Sequence, residues 1–173
     1  MKTLFNLTTS LNDMERFQNR AELLALMEGF DGVELLVCEP DERNIVSRER
    51  VFGVHMGYFP YWLDFWRCNE TALIQEFGSL EACEQYYGGS TREALLTRFR
   101  GDLAAAEDYG AEYVVFHVSD ASIAESFAGT YAHSGAEVID AACELLNELF
   151  DGASYRPALL LENLWQPGLT FTD

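Results

Sequence analysis

The sequence predicts an α/β fold of five parallel strands, read as part of a (βα) barrel, and three observations lead there. Short apolar runs alternate with segments of helical periodicity along the whole chain. Such succession implies right-handed strand–helix–strand units in one parallel sheet. Three of the runs, Val51–His55, Tyr113–His117 and Ala158–Glu162, end in a residue able to bind a metal. If these strands are parallel neighbours, His55, His117 and Glu162 meet at one mouth of the sheet. Finally, Thr8-Thr9-Ser10 after the first run lacks the Gly-rich turn that marks an open nucleotide-binding sheet. A barrel is preferred over that alternative.

In chain order, Lys2 to Thr8 suits a first strand, and Asn12 or Asp13 can cap a helix. Met14, Phe17, Ala21, Leu24 and Met27 recur at helical spacing up to Gly29, which predicts one amphipathic crossover helix. Gly32–Cys38 is the second strand, Pro40 to Arg50 holds no more than a turn or two of helix, and the third strand opens at Val51. Residues 58–89 then form a long aromatic insertion, with Asn69 and Ser79 as caps of short helices inside it. Ser90-Thr91-Arg92-Glu93 is a capping box for a helix reaching about Tyr109, where Gly110 stops it.

Glu112–Val118 reads as the fourth strand and Ser119 to His133 as a polar connection. A second capping box, Ser134-Gly135-Ala136-Glu137, starts a helix with Val138, Ala142, Leu145, Leu146 and Leu149 on its buried side, and Asp151-Gly152 ends it. Pro157 precedes Ala158-Leu159-Leu160-Leu161, a run too short for a helix and apolar enough for a strand buried on both faces. The chain turns away at Trp165-Gln166-Pro167-Gly168. Residues 1–173 are read as a single domain.

Composition limits the function classes. The 173 residues are 49% hydrophobic, enough to bury a sizeable core. No apolar run approaches the roughly 18 residues of a membrane span, and Met1-Lys2-Thr3-Leu4 is not a signal-peptide start, so a cytoplasmic location is expected. Cys38, Cys68, Cys83 and Cys143 contain no Cys-x-x-Cys pair and are read as free thiols or small apolar residues. A formal charge of -18, from 29 acidic and 11 basic residues, opposes extended nucleic acid as a partner.

The polar residues at strand ends carry the functional reading, because catalytic groups of such barrels come from the C-terminal ends of the strands. Glu162, His117 and His55 are favoured as metal or substrate contacts over structural pairs. His133 is read as solvated or supporting, and Glu34 as an ion-pair partner at least as well as a member of the site. The stretch Tyr58 to Trp66 has two readings, a small satellite core or a lid whose Tyr58, Trp62 and Trp66 pack on a sugar ring. Asn163 can orient Glu162.

With these residues in this order, the chain resembles the xylose isomerase-like TIM-barrel superfamily, which includes sugar and sugar-phosphate isomerases, epimerases and apurinic endonucleases. Asp31-Gly32-Val33-Glu34-Leu35 is similar to that family's second strand, Val54-His55 to its third, Val115-Phe116-His117 to its fourth and Leu161-Glu162-Asn163 to its fifth. The resemblance implies that Glu162 is a direct ligand of a divalent metal, whether Mn, Mg, Co or Zn. His55 and His117 match zinc-binding histidines of the endonuclease branch and line the sugar pocket in the isomerases. The strand-six to strand-eight ligands have no counterpart, so the chain is read as an N-terminal portion lacking roughly three units of about 30 residues each. The expected activity is metal-dependent isomerisation or epimerisation of a sugar or related polyol. The alternatives are a zinc phosphodiester hydrolase and a non-catalytic barrel that binds a small ligand, or a partial barrel completed by another chain, for which loss of the open edge on homo-dimerisation would be the support.

Overall fold

The structure, a computed structural model, describes residues 2–164 and 166–170, so the turn read at Trp165 begins outside the described residues. Its elements are β1 (Leu4–Thr8), α1 (Leu11–Met14), α2 (Arg20–Leu26), β2 (Gly32–Leu36), β3 (Val51–His55), α3 (Leu63–Trp66), α4 (Glu70–Phe77), α5 (Leu80–Tyr87), α6 (Glu93–Tyr109), β4 (Tyr113–His117), α7 (Ile123–Ala128), α8 (Gly135–Phe150) and β5 (Ala158–Glu162). The strands form one sheet in the order β1-β2-β3-β4-β5, and the pairs from β1 to β4 run parallel in the recorded register. Sequential order is the arrangement of a (βα) barrel. An open nucleotide-binding sheet reverses its order at a switch point, and this sheet does not.

By Cα packing the chain divides into two compact units, the first comprising Met1–Gly57, Gly101–Phe116 and Tyr155–Leu160, the second Tyr58–Arg100, His117–Ser154 and Leu161–Asp173. In the first, strand periodicity decides what is buried. Val33, Leu35, Val54 and Val114 are fully buried, and Leu23 and Met27 of the α2 region and Leu103 and Ala106 of α6 are buried as well. Side chains alternate across a strand, so Glu34, His55 and Tyr113 stand on the opposite face, where they are half-buried. The register lines up Glu34 with Gly53 and Gly53 with Tyr113. A shift between Val33 and Glu34 sets that row.

Aromatic packing dominates the second unit. Phe65 stacks on Tyr87 at 3.9 Å, Phe59 meets Tyr87 at 5.5 Å and Phe99 at 6.0 Å, and the Tyr87 hydroxyl donates to the Tyr61 carbonyl. Burial raises the Tyr87 pKa above the usual phenol range, which keeps that donor protonated. α4 and α5 begin at Asn69 and Ser79 as predicted, each side chain accepting from the N–H three residues on, and Gly78 and Gly88 close them in the left-handed region.

Five sequence expectations change. The first helix is capped by neither Asn12 nor Asp13, which lie inside it, but by Ser10, whose hydroxyl accepts from Asp13 N. The single helix up to Gly29 is two helices, because Asn19 adopts extended backbone and accepts from Ala21 N and Glu22 N, which starts α2 afresh. α6 begins at Glu93 and not directly after Ser90, and the Glu93 carboxylate pairs with Arg100. The polar connection after β4 contains α7, started by a capping box between Ser122 and Glu125. Strand β5 is not buried on both faces: it is last in the sheet, and Leu160 and Leu161 are 46% and 49% exposed.

The Ser134–Glu137 capping box of α8 forms as predicted. The Ser134 backbone N–H, the Ser134 hydroxyl and Arg67 together lower the Glu137 pKa to about 2. A depressed carboxylate contributes stability that is present above its unfolded pKa and is lost as pH falls through the folded value. Acid unfolding curves of wild type and Glu137→Gln are therefore expected to differ most above pH 4.5 and to converge toward pH 2.

Candidate metal centre

Each of the three strand-end residues has a local anchor. His55 ends β3, and the backbone on either side of it is fixed: Met56 N donates to Val115 O at 3.0 Å, and Gly57 N donates to the buried Asp102 carboxylate at 2.8 Å. The His55 ring meets Glu34, Nδ1 to Oε1, at 3.0 Å. Tyr113 donates from its hydroxyl to the other Glu34 oxygen at 2.6 Å. Burial, then Glu34 itself, raises the Tyr113 pKa, so the phenol is a donor at neutral pH.

His117 ends β4 and Glu162 ends β5, and their side chains meet at 3.3 Å, Nε2 to Oε2. Val118 N donates to Glu162 O at 3.2 Å, so main-chain pairing continues to the last residue of β5. Beyond it, Leu169 N donates to Val118 O at 2.9 Å and Asp120 N to Pro167 O at 3.1 Å, which straps the two segments together immediately past the ligands. The strap needs Gly168, because a Cβ there would fall on the Val118 carbonyl and 2.8 Å from Ser119 Cα.

One ligand atom from each of His55, His117 and Glu162 lies within 4.8 Å of the others. All three residues are half-buried, with the Glu162 side chain the most open at 41% against 12% for His117. Ligands at about 2.0–2.2 Å around one tetrahedral ion are about 3.3 Å apart. The His117–Glu162 pair already has that separation. Two imidazoles and one carboxylate are a donor set suited to divalent first-row metals. The residues fit such an ion.

The other candidates fall in the second unit. Tyr58 sets its ring edge against His117, with centroids 4.7 Å apart. Trp62 and Trp66 are both 4% exposed. Their indole N–H groups donate to Ser119 O at 2.9 Å and to Glu144 at 3.3 Å. Asn163 follows β5 directly and is half-buried. His133 is not solvated: its Nε2 lies 3.2 Å from Asp64, a buried carboxylate that also accepts from Tyr61 and Asn69. Burial pushes the Asp64 pKa up, and these three hydrogen-bonded neighbours more than offset it, so the net shift is downward.

Sequence reasoning missed Tyr113, Asp102 and Asp120. Tyr113 was recoverable from parity, since it shares the face of Val115 and His117. Asp102 and Asp120 carry no such signal, because their partners are main-chain N–H groups distant in sequence.

Among the described residues no helix is long and apolar enough to cross a membrane. No protein-family model, curated protein or solved structure matches the chain. The chain is a five-stranded parallel α/β sheet with interleaved helices, and the His/His/Glu cluster formed by the last residues of β3, β4 and β5 is able to bind a metal ion.

Proposed function

We propose that this chain belongs to a divalent-metal-dependent isomerase or epimerase that acts on a sugar or related polyol, built on a barrel of the xylose isomerase-like type with residues 58–89 as an insertion after β3. The observation that carries the reading is the convergence of His55, His117 and Glu162 at the ends of three successive strands, the face on which (βα) barrels carry their chemistry. When bound, a divalent ion supplies Lewis acidity to a carbonyl and its neighbouring hydroxyl. His55, His117 and Glu162 hold it, and the two imidazoles favour zinc, cobalt or manganese over magnesium.

The remaining roles follow from position. Tyr58 offers an aromatic wall beside His117 for the C–H face of a sugar ring. Trp62 and Trp66 fix the connection that carries Tyr58. Asn163 supplies an amide next to Glu162, to a substrate hydroxyl or to the carboxylate itself. A formal charge of -18 suits a neutral polyol better than a polyanion.

One observation favours a second reading, zinc-dependent phosphodiester hydrolysis: both histidines lie in the cluster, as in the endonuclease branch that the sequence resembles. Metal content by mass spectrometry, followed by parallel assays of sugar interconversion and abasic-site cleavage, separates the readings. The expected result is retained divalent metal and metal-dependent interconversion of a sugar, with solvent deuterium exchanged into the product. Abasic-site cleavage without sugar turnover would transfer the assignment to the hydrolase. Metal binding with neither activity would point to a ligand-binding barrel, and a protein with no metal affinity would end both metal-dependent readings and favour that barrel.

A further inference from the structure

We infer that Glu34 and Tyr113 are positioning residues for the metal centre, acting through His55; the inference rests on the metal-centre reading and deepens it. A carboxylate only accepts hydrogen bonds, so the His55 nitrogen 3.0 Å from Glu34, Nδ1, carries the ring proton. A neutral imidazole has a single N–H. Its lone pair is therefore on Nε2, which becomes the nitrogen offered to the ion. Glu34 in turn is held at both oxygens, by His55 on one and by the Tyr113 hydroxyl at 2.6 Å on the other. The carboxylate cannot rotate without breaking one of the two bonds, so the plane of the imidazole is fixed along with its tautomer.

The sheet is built to allow this contact. Glu34, Gly53 and Tyr113 occupy one row across β2, β3 and β4. Tyr113 must therefore reach across β3 to touch Glu34. The middle position is glycine, and a Cβ at Gly53 would fall directly on the Tyr113 ring and near its hydroxyl. The phenol crosses β3 through the space that the absent side chain leaves. Two residues further along β3, on the same face, stands His55. The row thus joins three strands into a support for one ligand, in the carboxylate–histidine–metal pattern that raises ligand basicity and sets its direction.

The test is Co2+ binding to the full chain, measured by competition with a chelating dye and by the visible absorption of the bound ion, for wild type, Glu34→Gln and Tyr113→Phe. Removing a hydrogen-bonding neighbour of a ligand typically costs about 10–100-fold in affinity. That loss is expected for Glu34→Gln, with a smaller loss of several-fold for Tyr113→Phe and altered absorption bands in both. Thermal unfolding of the metal-free proteins is measured alongside. A merely structural role would lower the unfolding temperature and leave the affinity and spectrum unchanged, and that result overturns the inference. Tyr113→Phe keeps the ring over Gly53, so it decides the question even if Glu34→Gln fails to fold. If wild type binds no Co2+, the metal-centre reading falls and this role with it; if wild type binds and both variants match it, only the positioning role falls.

Discussion

Replacing Glu162 by alanine is expected to weaken binding of Zn2+ or Co2+ by more than about 100-fold, beyond the range for loss of a residue that merely hydrogen-bonds a ligand. Among the described residues of the cluster, Glu162 supplies the anion. The two histidines bind as neutral imidazoles, so its removal takes away both a donor atom and the charge that offsets the dication. The fold should hardly notice. The Glu162 side chain is 41% exposed, and the bond that keeps β5 aligned at this point runs from Val118 N to the Glu162 main-chain carbonyl. Exposed substitutions of this kind usually shift stability by less than about 0.5 kcal/mol. Affinity and stability should therefore separate: a chelator-competition titration shows the loss while the metal-free unfolding curve stays in place. Unchanged affinity in this variant would remove Glu162 from the coordination shell and leave the cluster without its charge.

The parts of this arrangement that sequence makes legible are those governed by local pattern. Apolar runs bounded by helical periodicity gave all five strands, and the residues ending three of them, His55, His117 and Glu162, are the ones the fold brings together. Caps three residues from their donors were readable at Asn69, Ser79 and Ser134, while the equally local caps at Ser10 and Asn19 were not read. The same logic would have found α7, since Ser122 and Glu125 have the spacing of a capping box, but the segment's polarity masked it. Long-range partnership left no trace in the pattern. Glu34 pairs with His55 on the neighbouring strand and with Tyr113 one strand beyond. Neither can be chosen without the register, and the register contains a shift beside Glu34 itself. The exposure of Leu160 and Leu161 was hidden for a related reason: an apolar run shows that a strand can be buried, and its place in the sheet decides whether it is.

The largest expected loss of stability from a single polar side chain is at Asp120. It is 2% exposed and accepts from Trp62 N at 2.6 Å and from Leu63 N at 2.8 Å, so one carboxylate oxygen satisfies two donors at the start of α3. α3 has only four residues and no cap of its own, since Trp62 makes no side-chain cap bond. Asp120→Ala would leave both N–H groups buried without that acceptor. At about 1–3 kcal/mol for each such group, the expected cost is roughly 2–6 kcal/mol, measurable by urea unfolding followed through the fluorescence of the buried tryptophans. Asp120→Asn keeps an oxygen with two lone pairs and should cost far less. Burial raises the Asp120 pKa even against the Trp62 and Leu63 bonds, with Asp64 adding to the rise and His133 opposing it. A carboxyl with a raised folded pKa favours the folded state most when protonated, and that contribution declines as pH climbs from the unfolded value through the folded one. Between those values wild type should lose stability relative to Asp120→Asn. A loss below about 1 kcal/mol in Asp120→Ala would mean that the two N–H groups find another acceptor, and α3 would then not depend on Asp120. Because Asp120 lies three residues past His117 and its partners four and five past Tyr58, the same substitution is expected to loosen the Tyr58–His117 contact, which is read from the change in Co2+ absorption.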